Sequence, residues 1–425
     1  MVRRALLALV LVAAPLTAGA QESAVASLQG GGDPQRALQL GRALRRAGRY
    51  DEALRVLQPL ARAAGTRTAA AWEVARVRFD QGNFRAAETA CRAFPTNGPA
   101  RNVCMARAYL VWQRVALANR AITAASAASP NDGELQLAIA DARRLASEVP
   151  ASEAAYRAAA QALPGRPEPH VGLGALFEIG RRYDDAATAY RRAVEVDGDD
   201  PATRLALGRF LLKRQGDAAG ALPHLRAATQ GRLHWSEALA LLAQAQIDTG
   251  AGADAVAAAE EAARLSPTTP GVQTTLGRAR CAAGRHAEAE APLREAIRQV
   301  DTDALAWMTL ADVLERTERA PQAMESWDAA IDRSPSDPTA RLRAAALALR
   351  TQQYPLARAQ LERVLRDHPE SGEAQVLRAR IALAESDRNA ARTAIEAAER
   401  ATGVGAEVIR ELREALERPV RRPRR

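Results

Sequence analysis

Aromatic residues are scarce in this chain, making up 4% of 425 residues. Alternating runs of Val, Ile, Thr and aromatics, which a β-sheet would need, are nearly absent as well. Histidine occurs five times and cysteine three times, too sparsely for a disulfide framework or a zinc motif. His170, His224, His234, His286 and His368 are scattered, and none pairs as H-E-x-x-H. Lysine occurs once, at Lys213, against 58 arginines, a bias that resembles a GC-rich bacterial genome and discounts any argument from arginine alone. Past the first twenty residues no apolar run has the length of a membrane span. What fills the space is alanine and leucine, small and strongly helix-forming. These absences together predict an all-α protein.

The first twenty residues, MVRRALLALVLVAAPLTAGA, have the form of a secretory signal. Arg3 and Arg4 make a positive start, Ala5–Ala14 an apolar core, and Ala18-Gly19-Ala20 a small-x-small cleavage site. Export to the periplasm or the cell exterior is therefore expected, with the mature chain starting at Gln21 and no membrane-integral segment remaining. Residues 21–33, ending in LQGGGDP, read as a flexible leader. The formal charge of +9 would suit a nucleic-acid binder, but seven arginines lie in the first four and last eight residues, and without them +2 remains. A nucleic-acid partner is not expected. Residues 418–425, RPVRRPRR, read as a basic, disordered and solvated end.

Between these ends the chain repeats. The strings AGRYDEAL, QGNFRAAE, IGRRYDDA, AGRHAEAE, TERAPQAM and TQQYPLAR each lie between two Ala/Leu-rich helical stretches. Each offers a helix stop, a short turn and a small alanine opening a second helix. From Ala255 that alanine recurs every 34 residues, at Ala289, Ala323, Ala357 and Ala391. One repeat shows Trp307, Leu310-Ala311, Leu314, Ala323, Trp327, Ala330 and Pro335; another shows Leu173-Gly174, Phe177, Ala186, Tyr190 and Ala193. This pattern strongly resembles the tetratricopeptide repeat family. The resemblance implies a right-handed superhelical solenoid of about eleven helical hairpins over residues 34–403, starting at 34, 68, 99, 133, 167, 201, 236, 270, 304, 338 and 372. Residues 404–417 read as a single amphipathic helix capping the last hairpin. Register is weakest over residues 95–166, where VALANRAIT replaces a normal turn and Pro150 sits at a hairpin. The sixth repeat carries one residue too many around Gly216-Asp217.

No chemistry assembles along the chain. Gly250-Ala251-Gly252-Ala253-Asp254-Ala255 looks like a dinucleotide fingerprint, but no strand precedes it. Arg285-His286-Ala287-Glu288 holds half of a zinc deaminase signature without its P-C-x-x-C partner. The expectation is a protein that is not an enzyme and needs no cofactor or metal. A scaffold or adaptor in an envelope machine is the first reading; an anionic polysaccharide binder and an accessory module of a separate enzyme are alternatives.

The resemblance also implies that the first helix of each hairpin lines a groove, with positions 2, 5, 9, 12 and 13 toward the ligand. Position 9 holds Arg42, Arg76, Arg107, Arg209, Arg278 and Arg380, six of eleven repeats where chance would give one or two. Arg45 and Arg46 join this row, as do Trp72 and Phe79. An acidic or extended peptide, or an anionic glycan, would suit such guanidinium groups. Equally, an empty solenoid leaves position 9 solvated, and an arginine-rich genome fills solvated sites with arginine. Cys91 and Cys104 fall on neighbouring antiparallel helices. They form either a disulfide, favoured by an oxidising compartment, or two small buried hydrophobes.

Overall fold

The computed structural model describes residues 33–63, 65–95, 98–232 and 234–418. The proposed signal lies outside the described residues, as do most of the leader and tail. Among the described residues there are 23 α-helices and no strand. Eleven antiparallel hairpins follow one another. The first five are α1 (Pro34–Arg46) with α2 (Tyr50–Leu60), α3 (Arg67–Asp80) with α4 (Phe84–Arg92), α5 (Pro99–Val111) with α6 (Val115–Ser126), α7 (Gly133–Leu145) with α8 (Val149–Ala162), and α9 (Glu168–Ile179) with α10 (Tyr183–Val196). Next come α11 (Pro201–Phe210) with α12 (Ala218–Gly231), α13 (Ser236–Asp248) with α14 (Gly252–Leu265), and α15 (Val272–Ala282) with α16 (His286–Gln299). The last three are α17 (Ala304–Arg316) with α18 (Ala320–Arg333), α19 (Pro338–Arg350) with α20 (Tyr354–Asp367), and α21 (Gly372–Ala384) with α22 (Arg388–Arg400). A single helix, α23 (Ala406–Glu417), ends the series. Every first helix starts within two residues of the position read from the sequence. The fold is a helical repeat solenoid.

The turns explain the regularity. Each hairpin turn holds one residue with positive φ: Gly48, Gly82, Gln113, Ser147, Arg181, Gly216, Gly250, Gly284, Glu318, Gln352 and Ser386. In ten of the eleven, the next residue's N–H donates to the carbonyl five residues back, as Arg49 does to Leu44 and Gln353 to Ala348. That bond closes the first helix in the Schellman manner and aims the chain into the second. The VALANRAIT hairpin is thus normal, with Gln113 where others use glycine. Pro150 is harmless because it falls in the first turn of α8, where no N–H is required.

Packing within a hairpin is set by close approach. A Cβ on Gly41 would sit 2.4 Å from Leu57, and one on Gly277 equally close to Leu293. Other repeats place Ala75, Ala311, Ala345 or Ala379 there, all fully buried, opposite larger chains such as Trp327 and Leu361. Any bulkier residue would force the helices apart. In the fourth repeat a serine takes the place of the usual alanine; Ser152 is buried, and its hydroxyl donates to the Ala140 carbonyl at 2.9 Å, so no polar group is orphaned.

Two irregularities have local causes. The extra residue of the sixth repeat is absorbed by a π-helical turn, Leu211–Gln215, the usual structural result of one inserted residue. There Asp217 donates to the carbonyl six back, at Leu211, instead of five. The second repeat is three residues short, and its closing helix α4 has only nine residues. Cys91 on α4 and Cys104 on α5 are joined by a disulfide, with Cα atoms 5.4 Å apart. It crosslinks the hairpin that has the least helix to bury.

The chain divides into two units, residues up to 245 and from 246 onward, the division falling within α13. In the N-terminal unit the first hairpin reaches the sixth. Arg46 pairs with Asp197 at 2.6 Å, and the Arg232 guanidinium lies over both the Tyr50 and Trp235 rings. In the C-terminal unit one core surrounds Trp327, Leu314 and Leu293, and another surrounds Leu361 and Ile381. There α23 covers the last hairpin, burying Leu412 against Ala394 and Ile395. Among the described residues, no helix is long and apolar enough to cross a membrane.

Candidate functional site: the first-helix faces

First helices of successive hairpins touch one another, α1 on α3, α3 on α5, α5 on α7, and likewise α15 on α17. This stacks them side by side within each unit, where side chains one repeat apart can meet. In the N-terminal unit they meet as ion pairs. Glu73 on α3 is almost fully buried and takes Arg42 at 3.0 Å, Arg76 at 2.7 Å and Arg45 at 3.3 Å. Arg45 also holds Asp80 at 2.8 Å. Arg76 reaches on to Glu134, which takes Arg107 at 2.6 Å and Arg166 at 2.8 Å. Arg166 closes the series on Glu168.

Burial alone would push the Glu134 carboxyl up. Arg107, Arg76 and Arg166 outweigh it and hold the group at about 2. Glu168 behaves alike: burial pulls upward, but hydrogen bonds and charge from Arg166 bring it to about 2. Burial also opposes ionisation of Glu73, and Arg76, Arg45 and Arg42 again prevail in the downward direction. The network is ionised at neutral pH. Arg76 Nε makes no hydrogen bond, and Arg45 Nε has only the ion-pair contact with Glu73 at 3.3 Å.

This finding changes the reading of the arginine row. Arg42, Arg45, Arg76 and Arg107 lie together on the first-helix faces, and each is paired with a carboxylate of the same chain. Arg46 points to the Asp197–Asp200 loop. Trp72 packs edge-on against Phe94, and both Trp72 and Phe79 belong to the cluster around the Cys91–Cys104 bridge. Both are partly buried and pack against that cluster. Arg209 makes a loose, exposed pair with Glu237 at 3.5 Å. Arg278 pairs with Asp248 at 3.3 Å. Arg380 is exposed and makes no ion pair among the described residues.

The C-terminal unit presents a different first-helix face. A cleft of about 570 Å³ opens between α15, α17 and α19. Its apolar part is Cys281, Leu305 and Met308, and Leu305 is 42% exposed. Three guanidinium groups surround it: Arg278, Arg343 and Arg316. Arg343 is engaged by Asp312, whereas Arg316 is exposed and makes no ion pair among the described residues. Burial, with Asp312 nearby, pushes the Cys281 thiol up to about 11, so it stays protonated and unreactive. Of these residues only Arg278 was among the candidate binding residues read from the sequence. Leu305, Met308 and Arg316 occupy positions 2, 5 and 13 of the ninth repeat, and reading all the inward positions together would have found them.

A chain of eleven helical hairpins, closed by matching turns and stacked through small residues, defines a helical repeat solenoid. Tetratricopeptide repeat models match residues 38–102, 175–235 and 274–338, and a second such model matches 315–381. Together these span more than half of the sequence, and the chain belongs to the tetratricopeptide repeat family. No curated protein sequence matches it. Among solved structures, it is similar to one titled as the APC/C hetero-tetramer Cut9–Hcn1, at 14% identity and TM-score 0.50, covering 92% of this chain and 91% of that one. A tetratricopeptide repeat protein from Parabacteroides merdae matches at 19% identity and TM-score 0.47, covering 59% and 98%. Pseudomonas aeruginosa pilF matches at 20% identity and TM-score 0.43, covering 51% and 99%. At such identities these likenesses speak to the fold alone. The family's solenoids are in general non-catalytic scaffolds that bind protein partners.

Proposed function

We propose that this protein is a non-enzymatic interaction scaffold of the bacterial cell envelope, and that its C-terminal cleft holds an extended segment of a partner protein. The observation that carries this reading is the cleft itself: an apolar floor beside Arg316, which makes no ion pair among the described residues. A peptide with one apolar side chain and one carboxylate two to four residues apart suits Leu305 and Met308 on one side and Arg316 on the other. Placement in the envelope is supported by the signal-like first twenty residues and by the Cys91–Cys104 bridge, which needs an oxidising compartment.

A photo-crosslinking residue at Leu305, introduced in the native cell, tests the partner reading. Crosslinked peptides are expected to contain an Asp or Glu near an apolar residue, and Arg316→Ala is expected to weaken a synthetic copy of that peptide by about tenfold. Peptides without acidic residues, or binding indifferent to Arg316, would refute it. Mass spectrometry of the native protein tests export: an N-terminus at Gln21 and a single free thiol, Cys281, are expected.

A further inference from the structure

Another cleft lies away from the first-helix faces, at the hairpin turns of the second and third repeats. It measures about 510 Å³ and is lined by the turn residues Gln81 and Asn83, by Phe84 and Arg85 at the start of α4, and by Trp112 and Arg114 from the next turn. Phe84 and Trp112 meet edge to face with centroids 5.2 Å apart, and Tyr109 supports Trp112 from behind at 6.4 Å. The Arg114 guanidinium lies 5.5 Å from the Trp112 ring centre. In a chain this poor in aromatics, three rings meeting at exposed turns is an unusual concentration.

The polar chemistry of the lining is one-sided. No carboxylate is among its residues, although most first-helix arginines of the N-terminal network have one. Arg85 and Arg114 are exposed, and neither makes an ion pair among the described residues. The Gln81 carbonyl accepts from Arg78 at 2.9 Å, and the Asn83 carbonyl caps α4 by accepting from the Ala86 N–H at 3.2 Å. Their amide NH2 groups remain as donors. The Trp112 indole N–H has no acceptor among the described residues. The side chains of this cleft therefore offer chiefly donors, two positive charges and an aromatic wall, with no carboxylate among them.

From this we infer that the cleft is a binding subsite for a uronic-acid residue of an anionic polysaccharide. A pyranose ring presents an apolar C–H face for the Trp112–Phe84 wall and a rim of oxygens for the amides and the indole. Its carboxylate suits Arg85 and Arg114, which can pair with it through charge-assisted bonds. An acidic peptide would supply the charge through Asp or Glu carboxylates, but those side chains offer no apolar C–H ring face to Trp112 and Phe84. The subsite is independent of the peptide cleft on α15–α19, and either can fail without the other.

The test titrates the full chain with a short oligomer of galacturonic acid, a neutral galactose oligomer of equal length and a glutamate oligomer, followed by calorimetry. Binding is expected for the galacturonate, at least about tenfold stronger than for either of the others, and weakening with salt. The double variant Arg85→Ala/Arg114→Ala and the single variant Trp112→Ala should each lose it by about tenfold or more. The double variant changes only exposed side chains, and an unchanged melting temperature confirms that it is folded. Arg316→Ala should bind the sugar normally. No galacturonate binding by the wild type, equal binding by the double variant, or a preference for the glutamate oligomer would each overturn the assignment.

Discussion

In the N-terminal unit, the inward arginines at position 9 of the first three repeats all end on Glu73 or Glu134, and these carboxylates are shared among five guanidinium groups. In the C-terminal unit, the same face holds an open cleft lined by Arg316, which makes no ion pair among the described residues. Both faces carry the arginine row that the sequence displays. Cross-repeat pairs occur on both faces, as between Arg278 and Asp248 or Arg343 and Asp312. What separates the faces is that Glu73 and Glu134 are largely buried and each take three arginines, whereas Asp312 takes one among the described residues. A basic stripe in a solenoid is evidence of a ligand only after its cross-repeat partners have been counted.

The largest expected difference between the two faces appears in acid. Glu134 and Glu168 have folded-state values of about 2, below the ordinary carboxylate value near 4.3. Their contribution is fully present above that ordinary value and is lost as pH falls through about 4 toward 2. For Glu134 alone this amounts to roughly 3 kcal/mol. Pepsin digestion at pH 3 is therefore expected to cut α3, α5 and α7 well before α17 and α19, where Asp312 and Glu315 each take a single arginine. Simultaneous cleavage of both units would show that the buried network does not distinguish them.

A single substitution sharpens the same contrast. Glu134→Ala leaves Arg76, Arg107 and Arg166 facing one another, partly buried and without their common partner. Removing one member of a buried pair typically costs about 3–5 kcal/mol. The matching change on the other face, Asp312→Ala, breaks only the half-exposed pair with Arg343 and should cost less than about 1 kcal/mol. Urea melts of the two variants measure this directly, and equal costs would remove the basis for treating the faces as different. The same reasoning predicts that Arg42, Arg76 and Arg107 cannot be replaced together without loss of stability, because Glu73 and Glu134 would be stranded.

Repeat number, hairpin positions and capping helix were all legible in the sequence, because each rests on a local rule repeated many times. A small residue at a helix crossing, a stop at a turn and a 34-residue period leave little freedom. The sixth repeat's surplus residue was visible too, though its accommodation as a π turn was not. The fate of the arginines could not be read by scoring one position at a time. Arg42 finds Glu73 31 residues on, Arg107 finds Glu134 27 on, and Arg45 finds Asp80 35 on. Those spacings straddle one repeat, so a search for opposite charges a repeat apart would have uncovered the network. Nothing in sequence spacing marks the Trp112 cleft, since it depends on two turns from different hairpins coming side by side.

The smallest effect concerns what the two units share. Six hairpin turns place a non-glycine residue in the left-handed region, among them Ser147 in the N-terminal unit and Gln352 in the C-terminal unit. Both side chains are exposed, so neither residue is retained for its packing. An L-residue there costs about 1–2 kcal/mol of local strain, while glycine costs roughly 0.5–1 kcal/mol more conformational entropy on folding. Ser147→Gly and Gln352→Gly should therefore each stabilise the protein by a net of about 0.5–1 kcal/mol. Because each repeat contacts chiefly its neighbours, the two gains should be equal and should add in the double variant. Thermal or urea melts of the two single variants and the double settle the matter. Unequal gains would mean that the turns, like the inner faces, are not interchangeable between the units, and that the difference between them reaches down to the backbone of the hairpin itself.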